Sequence, residues 1–430
     1  MNKLHNNILI VFALVIGLSA CELDPIADPN GPTAESFETG AELSDLQLLV
    51  AGLESVIRND MEFHYETVSI VAREYYDLNN IDPRYTGELL GAQGAVLDNN
   101  GFLTTRSYSA RHRSIRNGHI LINAATNAEI SEAQRNGYFG LAKTIQAFEM
   151  LLELNRQYEN GIRLDTSDPF NLGPFSSNYQ SGLTGIKALL DEANTNLGSA
   201  EFAFVSTLAD SPAEFAQFNR ALAARVATYQ NDPAAAMSAL NDSFLNLSGA
   251  MSDGVYHQFG LSGNDQPNPL FYIPTADVDR YMVHPSFFDD AEAGDTRVTN
   301  KTTDLGTTIS ADDLEGQFQI SLYASNTDPV PLIRNEELIL IYAEAAMMSD
   351  PTGAVNAINV VRNAAGLGDY TGGTDAQSLE DEILHQRRYS LLGEGHRWVD
   401  LRRFDRLNEI PLDRAGDTVH IQFPRPVAEG

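Results

Sequence analysis

From about residue 46 onward, apolar positions recur at helical spacing along most of this chain. Between residues 131 and 157, Leu141, Ile145, Phe148 and Leu152 follow at intervals of four, three and four, one face of an amphipathic helix. Ser131, with Gln134 three residues on, makes a capping box at its start. The same reading predicts helices over about 46–59, 110–128, 183–198, 213–230 and 233–247, the last opened by Asn231-Asp232-Pro233. Small residues at Ala221, Ala223, Ala224, Ala227 and Ala234 to Ala236 let the last two helices approach as an antiparallel hairpin, the unit of tetratricopeptide arrays.

Periodicity then stops. Over 249–333, turn residues alternate with aromatics (Tyr256, Phe259, Phe271, Tyr272, Tyr281, Phe287 and Phe288), and short strands are expected near 270–274 and 317–323. Long irregular stretches inside a compact body are uncommon and often functional. Helices resume at about 335–349, where Leu338, Ile341, Tyr342 and Ala345 form a stripe, and at 352–365 and 377–393. The fold class is therefore mostly α: a tetratricopeptide-like helical scaffold with an irregular, aromatic-rich layer and little β-structure.

The N-terminus carries a different signal. Residues 8–18 are free of charge and follow Lys3, and Leu18-Ser19-Ala20-Cys21 matches a bacterial lipobox. An apolar run this short is a secretory signal, since a spanning helix needs ~20 residues. Cys21, the single cysteine, becomes an acylated N-terminus whose chains hold the protein to a bilayer, each buried methylene contributing about 0.8 kcal/mol. Residues 1–20 read as the signal peptide and 21–45, with Glu22, Asp24 and Asp28, as an acidic tether. The body follows from 46 to 430, with helical repeats to about 248 and the irregular segment over 249–333.

Charge excludes one function class. The chain has 59 acidic side chains against 28 basic ones, a formal net charge of −31, and only four lysines. Such a surface repels nucleic-acid phosphates.

The C-terminal third is more specific. Val330-Pro331-Leu332-Ile333-Arg334-Asn335-Glu336-Glu337-Leu338 leads into Tyr342-Ala343-Glu344-Ala345, then Ile358-Asn359-Val360-Val361-Arg362-Asn363-Ala364-Ala365-Gly366-Leu367. Arg387-Arg388-Tyr389-Ser390-Leu391 follows and runs into Glu394-Gly395-His396-Arg397-Trp398-Val399-Asp400-Leu401-Arg402-Arg403. In order and spacing these blocks, over about 285–404, resemble the signatures of SusD/RagB-like outer-membrane nutrient-binding lipoproteins. Asp295-Thr296-Arg297 is similar to that family's Asp-x-Arg block, Tyr138 to Tyr158 to its early repeat helix, and Phe423-Pro424-Arg425-Pro426 with Glu429 to its terminal segment. Gln386 and Ser390 stand where the family carries acids, which leaves ion pairs missing there. The signature charges, set among apolar residues, read as a paired scaffold, and Trp398 as core.

The resemblance implies a lipid-anchored, surface-exposed outer-membrane protein that is no enzyme. It implies capture of oligosaccharide or polysaccharide fragments and their delivery to a SusC-type TonB-dependent transporter. A peptide-binding uptake lipoprotein and a scaffold lipoprotein without nutrient binding are the alternatives. A sugar site needs aromatic faces and fixed polar groups. Two stretches offer them: Tyr75, Tyr76, Asn79, Asp82 and Arg84 in the first, and Tyr256, Phe259, Tyr272 and Tyr281 in the second, with His257, Asn264 and Asn268 beside them. No cofactor or metal is assigned. Asp277, Asp279, Asp289 and Asp290 lack a twelve-residue calcium loop, and His112 and His119, seven apart, read as surface or core histidines. No nucleophile elbow, zinc-helix or phosphate-loop motif is present. Replacing Cys21 with serine is expected to move the protein from the membrane to the soluble fraction on cell fractionation; retention in the outer membrane would overturn the anchor.

Overall fold

A computed structural model describes Phe37 and residues 40–263, 265–275 and 277–429. Cys21, the signal peptide, most of the tether and Asn264 lie outside the described residues. Within them there are thirteen α-helices and six short strands.

The helical half begins with α1 (Leu43–Val56) and α2 (Glu62–Val71). It continues through the long α3 (Phe102–Asn127) and α4 (Glu132–Gln157), then α5 (Tyr179–Leu197), α6 (Pro212–Tyr229) and α7 (Pro233–Asn241). From α3 to α7 each helix packs on the next, a series of antiparallel hairpins. The Ser131–Gln134 capping box opens α4 as expected, and Pro233 is the first residue of α7 behind its Asp232 cap. Close approach rests on glycine. A Cβ on Gly140 of α4 would stand 2.5 Å from Leu197 Cγ of α5.

The irregular region contains five of the six strands: β2 (Gly254–His257), β3 (Tyr281–Val283), β4 (Thr302–Ala311), β5 (Leu314–Ile320) and β6 (Val330–Arg334). β1 (Tyr75–Asp77) joins from the helical half. One antiparallel sheet runs β1-β3-β5-β4, pairing Tyr75 with Val283 and Asp77 with Tyr281; β2 pairs with β6 separately. Short helices α8 (Ser286–Asp289) and α9 (Thr296–Asn300) follow β3, and α10 (Asn335–Ala346), α11 (Pro351–Ala364), α12 (Ala376–Ser390) and α13 (Arg397–Arg403) complete the α-helices of the described residues.

Three readings change. The strand expected near 270–274 forms instead at 281–283, because Ile273 N donates to Asp279 Oδ2 (2.8 Å) and turns the chain back. α7 ends at Asn241, short of 247. Asn335 captures the following segment there, accepting from Asn246 N at 2.9 Å and donating to the Asn246 and Ala250 carbonyls. α2 gave no periodic signal because Phe63 to Val71 are all buried, so it has no polar face.

Two cores meet along α10. Leu338, Ile341 and Ala345 face the main helical core, whereas Ile339, Leu340 and Ala343 face the α11–α12 cluster. The amphipathic stripe read from the sequence is thus one side of a helix buried all round. A third cluster, built on α2, β1, β3 and Trp398, fills the space beneath the sheet.

The signature charges join these parts. Buried Arg225 of α6 grips Glu337 of α10 with both guanidinium arms (2.6 Å each) and donates to the Leu332 carbonyl of β6 at 2.7 Å. Arg387 pairs with Asp400 (2.7 Å), and Arg403 bridges Asp400 (3.0 Å) and Glu344 (2.6 Å). Arg334 reaches Glu336 and, at 2.8 Å, Glu394. Arg297 holds Asp295 (2.7 Å), and Arg362 holds Glu292 (2.5 Å) and Glu382 (2.7 Å). Arg397 lies within electrostatic range of the buried Glu74 carboxyl. The places of Gln386 and Ser390 carry single hydrogen bonds to charged partners instead of ion pairs: Gln386 Nε2 donates to Glu382 (2.8 Å), and Arg297 donates to Ser390 Oγ (2.9 Å). Trp398 is buried, its Nε1 donating to the His420 carbonyl.

Burial pushes the Glu337 carboxyl up, but Arg225 and His396 override it and hold the group at about 2. Its stabilising contribution is therefore complete above about pH 4.5 and lost as pH falls towards 2. Glu337→Gln, which strands Arg225 in the interior, is expected to lower the unfolding free energy by about 3–5 kcal/mol in urea denaturation. It should also remove part of the acid sensitivity.

Candidate functional site

The two stretches singled out in the sequence meet at one edge of the sheet. Leu78 N donates to the Arg280 carbonyl, and Arg280 N donates back to Asn79 Oδ1, both at 2.8 Å, prolonging the β1–β3 pairing into the loops. Asn79 Nδ2 in turn donates to Asp77 Oδ1 at 2.8 Å. Asn80 (φ 58°) and Asp279 (φ 52°) take the left-handed conformation that Asn and Asp tolerate in tight turns. The 273–279 loop is closed by a bridge between Thr275 and Val278, and Gln319 Nε2 of β5 donates to the Ile273 carbonyl at 3.1 Å.

These turns present an apolar platform to solvent. Ile81 is 88% exposed and Ile273 53%, with Val278 beside Ile273 in the same loop. Tyr281 and Tyr85 are half-buried, and Tyr281 stacks on Tyr272 with ring centroids 4.0 Å apart. At the margin, Arg84 is held by Asp82 (2.6 Å), and its guanidinium lies 4.2 Å over the Phe102 ring at the start of α3. A planar cation locked in this way is a fixed polar edge beside apolar faces.

The nine candidate residues divide accordingly. Asn79, Asp82, Arg84 and Tyr281 lie at this surface, and Tyr272 stands directly under Tyr281. Tyr75 and Tyr76 are in the core: Tyr75 meets Tyr281 edge-on, while Tyr76 turns to Asp413 and the His284 ring. Phe259 is buried near the Arg58 guanidinium, and Tyr256 lies on β2 in the other sheet, its hydroxyl on the Ser252 carbonyl. His257 and Asn268 are buried as well. Neighbouring segments, not visible in the sequence, decide which aromatic reaches the surface: β1 is covered on both faces, so Tyr75 and Tyr76 are both buried, while Tyr281 stays half-buried. Ile81, Ile273 and Val278 carried no signal, because an aliphatic side chain in a loop reads as ordinary.

Asp279 is used in capping Ile273 N, and Asp290 pairs with Arg388 at 2.6 Å. His112 Nδ1 donates to the Tyr108 carbonyl at 3.0 Å, and His119 Nε2 meets Thr166 Oγ1 at 3.0 Å. No helix among the described residues is long and apolar enough to cross a membrane.

A buried carboxyl lies behind Tyr272. Glu66 of α2 accepts from Tyr272 Oη at 2.9 Å, surrounded by Tyr75, Tyr85 and Tyr281. Burial pushes it up to about 8, the Tyr272 hydrogen bond opposing and the Glu62 and Asp77 carboxylates adding to the rise.

Residues 286–424 match the SusD family. A SusD-like protein, P38, of Formosa agariphila is 38% identical over 88 residues, a match that spans only 18% of this chain and 18% of that relative. Among solved structures, a SusD superfamily protein of Bacteroides vulgatus is similar at 16% identity, covering 90% of this chain and 96% of that one with a TM-score of 0.68. Surface glycan-binding protein A of Bacteroides thetaiotaomicron, in complex with laminarihexaose, is similar at 13% identity over 91% and 97%, also at 0.68. The resemblance carried by the C-terminal blocks holds: the chain is SusD-like in sequence over 286–424 and in fold over nine-tenths of its length.

A raised carboxyl stabilises the folded state below the unfolded value near 4.5, and that contribution is lost as pH rises through the folded value. Glu66→Gln should therefore flatten the decline of unfolding free energy between about pH 5 and 8, read by urea denaturation at stepped pH. An unchanged slope would show that Glu66 is ionised in the folded protein.

Proposed function

We propose that the protein is a cell-surface lipoprotein that captures neutral oligosaccharides on the Ile81–Ile273–Tyr281 platform. From there it passes them to a SusC-type TonB-dependent transporter. The observation that supports this most directly is the platform itself. It pairs apolar and aromatic faces with a side chain locked in place, Arg84, on loops that hydrogen-bond one another. Pyranose rings have an apolar C–H face and a polar edge, and pre-ordered groups of both kinds bind them with little ordering cost. The fold shared with a protein known in complex with laminarihexaose supports the ligand class. Attachment through Cys21 and the tether would keep the body beside its transporter.

Isothermal titration with laminarihexaose, cellohexaose and maltohexaose tests the ligand class. At least one is expected to bind, and the double variant Ile81→Ala/Arg84→Ala is expected to weaken it about tenfold, or ~1.4 kcal/mol. Both positions are surface-facing, so the melting temperature should hold. Binding of a peptide mixture with no response to any of the three sugars would favour the peptide-uptake reading instead.

A further inference from the structure

A groove of about 570 Å³ opens along the outer face of α3, walled by the 165–172 loop and by the C-terminal segment 426–429. That volume falls within the roughly 300–1,000 Å³ typical of small-molecule sites. It shares no residue with the platform, although both lean on α3. Phe102 lies under Arg84, and Tyr108 follows six residues later, about 9 Å along the helix axis.

The walls are held before any ligand arrives. Arg163 fixes the C-terminal segment by pairing with Glu429 (2.8 Å) and anchors the loop through the Gly173 carbonyl (2.7 Å). Val427 N donates to the Asn99 carbonyl at 3.1 Å, and Thr166 is tied to His119. The floor is a ring pair: Tyr108 and His112, one turn apart, stack at 4.0 Å and 23°. Because His112 Nδ1 faces the Tyr108 carbonyl, Nε2 is the acceptor that remains on the ring. The Tyr108 hydroxyl is buried close to the Glu429 carboxylate without a hydrogen bond of good geometry. Ile115, Leu172 and Pro426 supply aliphatic surface, and Ser109 a hydroxyl. Phe170, in the same loop as Pro169 and Leu172, is 98% exposed at the rim.

We propose that this groove is a second carbohydrate subsite, taking one or two neutral pyranose units against the Tyr108–His112 pair, with Phe170 stacking on the unit that emerges. It rests on the proposed glycan-binding reading for its ligand class but not for its residues. The lining favours a sugar over an extended peptide. It consists of one helix face and two loops with no open strand edge to hydrogen-bond a peptide backbone. Its two fully charged side chains each have a partner already, Glu429 in Arg163 and Arg116 in a contact of its own, so an uncharged ligand with hydroxyls fits better than an ion.

The experiment is titration of the full-length protein with laminarihexaose and laminaribiose, followed by calorimetry and saturation-transfer NMR. Four proteins are compared: wild type, Ser109→Trp, which fills the groove from an exposed position, Phe170→Ala, and Ile81→Ala/Arg84→Ala. Wild type is expected to show two binding events. Ser109→Trp should abolish one and leave the platform event intact, and the platform variant should show the reverse. Phe170→Ala, at a fully solvated position, should weaken the groove event about threefold to tenfold. A single event unaffected by Ser109→Trp and Phe170→Ala overturns the second subsite while leaving the platform standing. Absence of any binding by wild type, here and with cellohexaose and maltohexaose, overturns both.

Discussion

The buried pair between Arg225 and Glu337 is the constraint on which the rest of this structure leans. Its guanidinium comes from the helical array and its carboxylate from α10, and the same arginine holds a β6 carbonyl. Removing two charges from water is costly, and only a two-armed contact with the remaining hydrogen bonds satisfied offsets it. Such a pair tolerates few alternative arrangements. It ties the helical array to α10 and β6 at one point, and the Arg387–Asp400–Arg403–Glu344 chain extends the same seam.

A rigid seam lets the outer parts remain polar and irregular. The platform loops contribute little to the core; their order comes from hydrogen bonds to one another and to the sheet edge. The groove along α3 is ordered in a comparable way, by Arg163 gripping the chain's last residues. Both surfaces expose apolar side chains that a monomeric core would normally bury, Ile81 in one and Phe170 in the other. Both surfaces are thus ordered by contacts within the chain itself.

Much of the fold was legible in the order of residues. The spacing of Leu141, Ile145, Phe148 and Leu152 marked α4, and the Ser131 cap marked its start, because one buried face and one solvated end leave local traces. α2 and the inner side of α10 left none, since a helix buried on every side has no polar phase to read. The signature charges announced that they were paired but not with whom: Arg225 lies 112 residues before Glu337. The convergence behind the candidate site was legible only in part. The stretches 75–84 and 272–281 do converge, yet Tyr75 and Tyr76 point into the core while Ile81 and Ile273 reach solvent.

By itself, then, the sequence determined the helical class, the family-like C-terminal blocks, the acidic surface and the expectation of an anchor at Cys21. These depend on composition, local periodicity or contiguous motifs. Tertiary structure alone decided which aromatics face solvent, which carboxylate meets which guanidinium, and that a groove lies beside α3. Each of those outcomes depends on segments far apart in the chain arriving at one place, and pairwise contact over such distances leaves no local pattern to read.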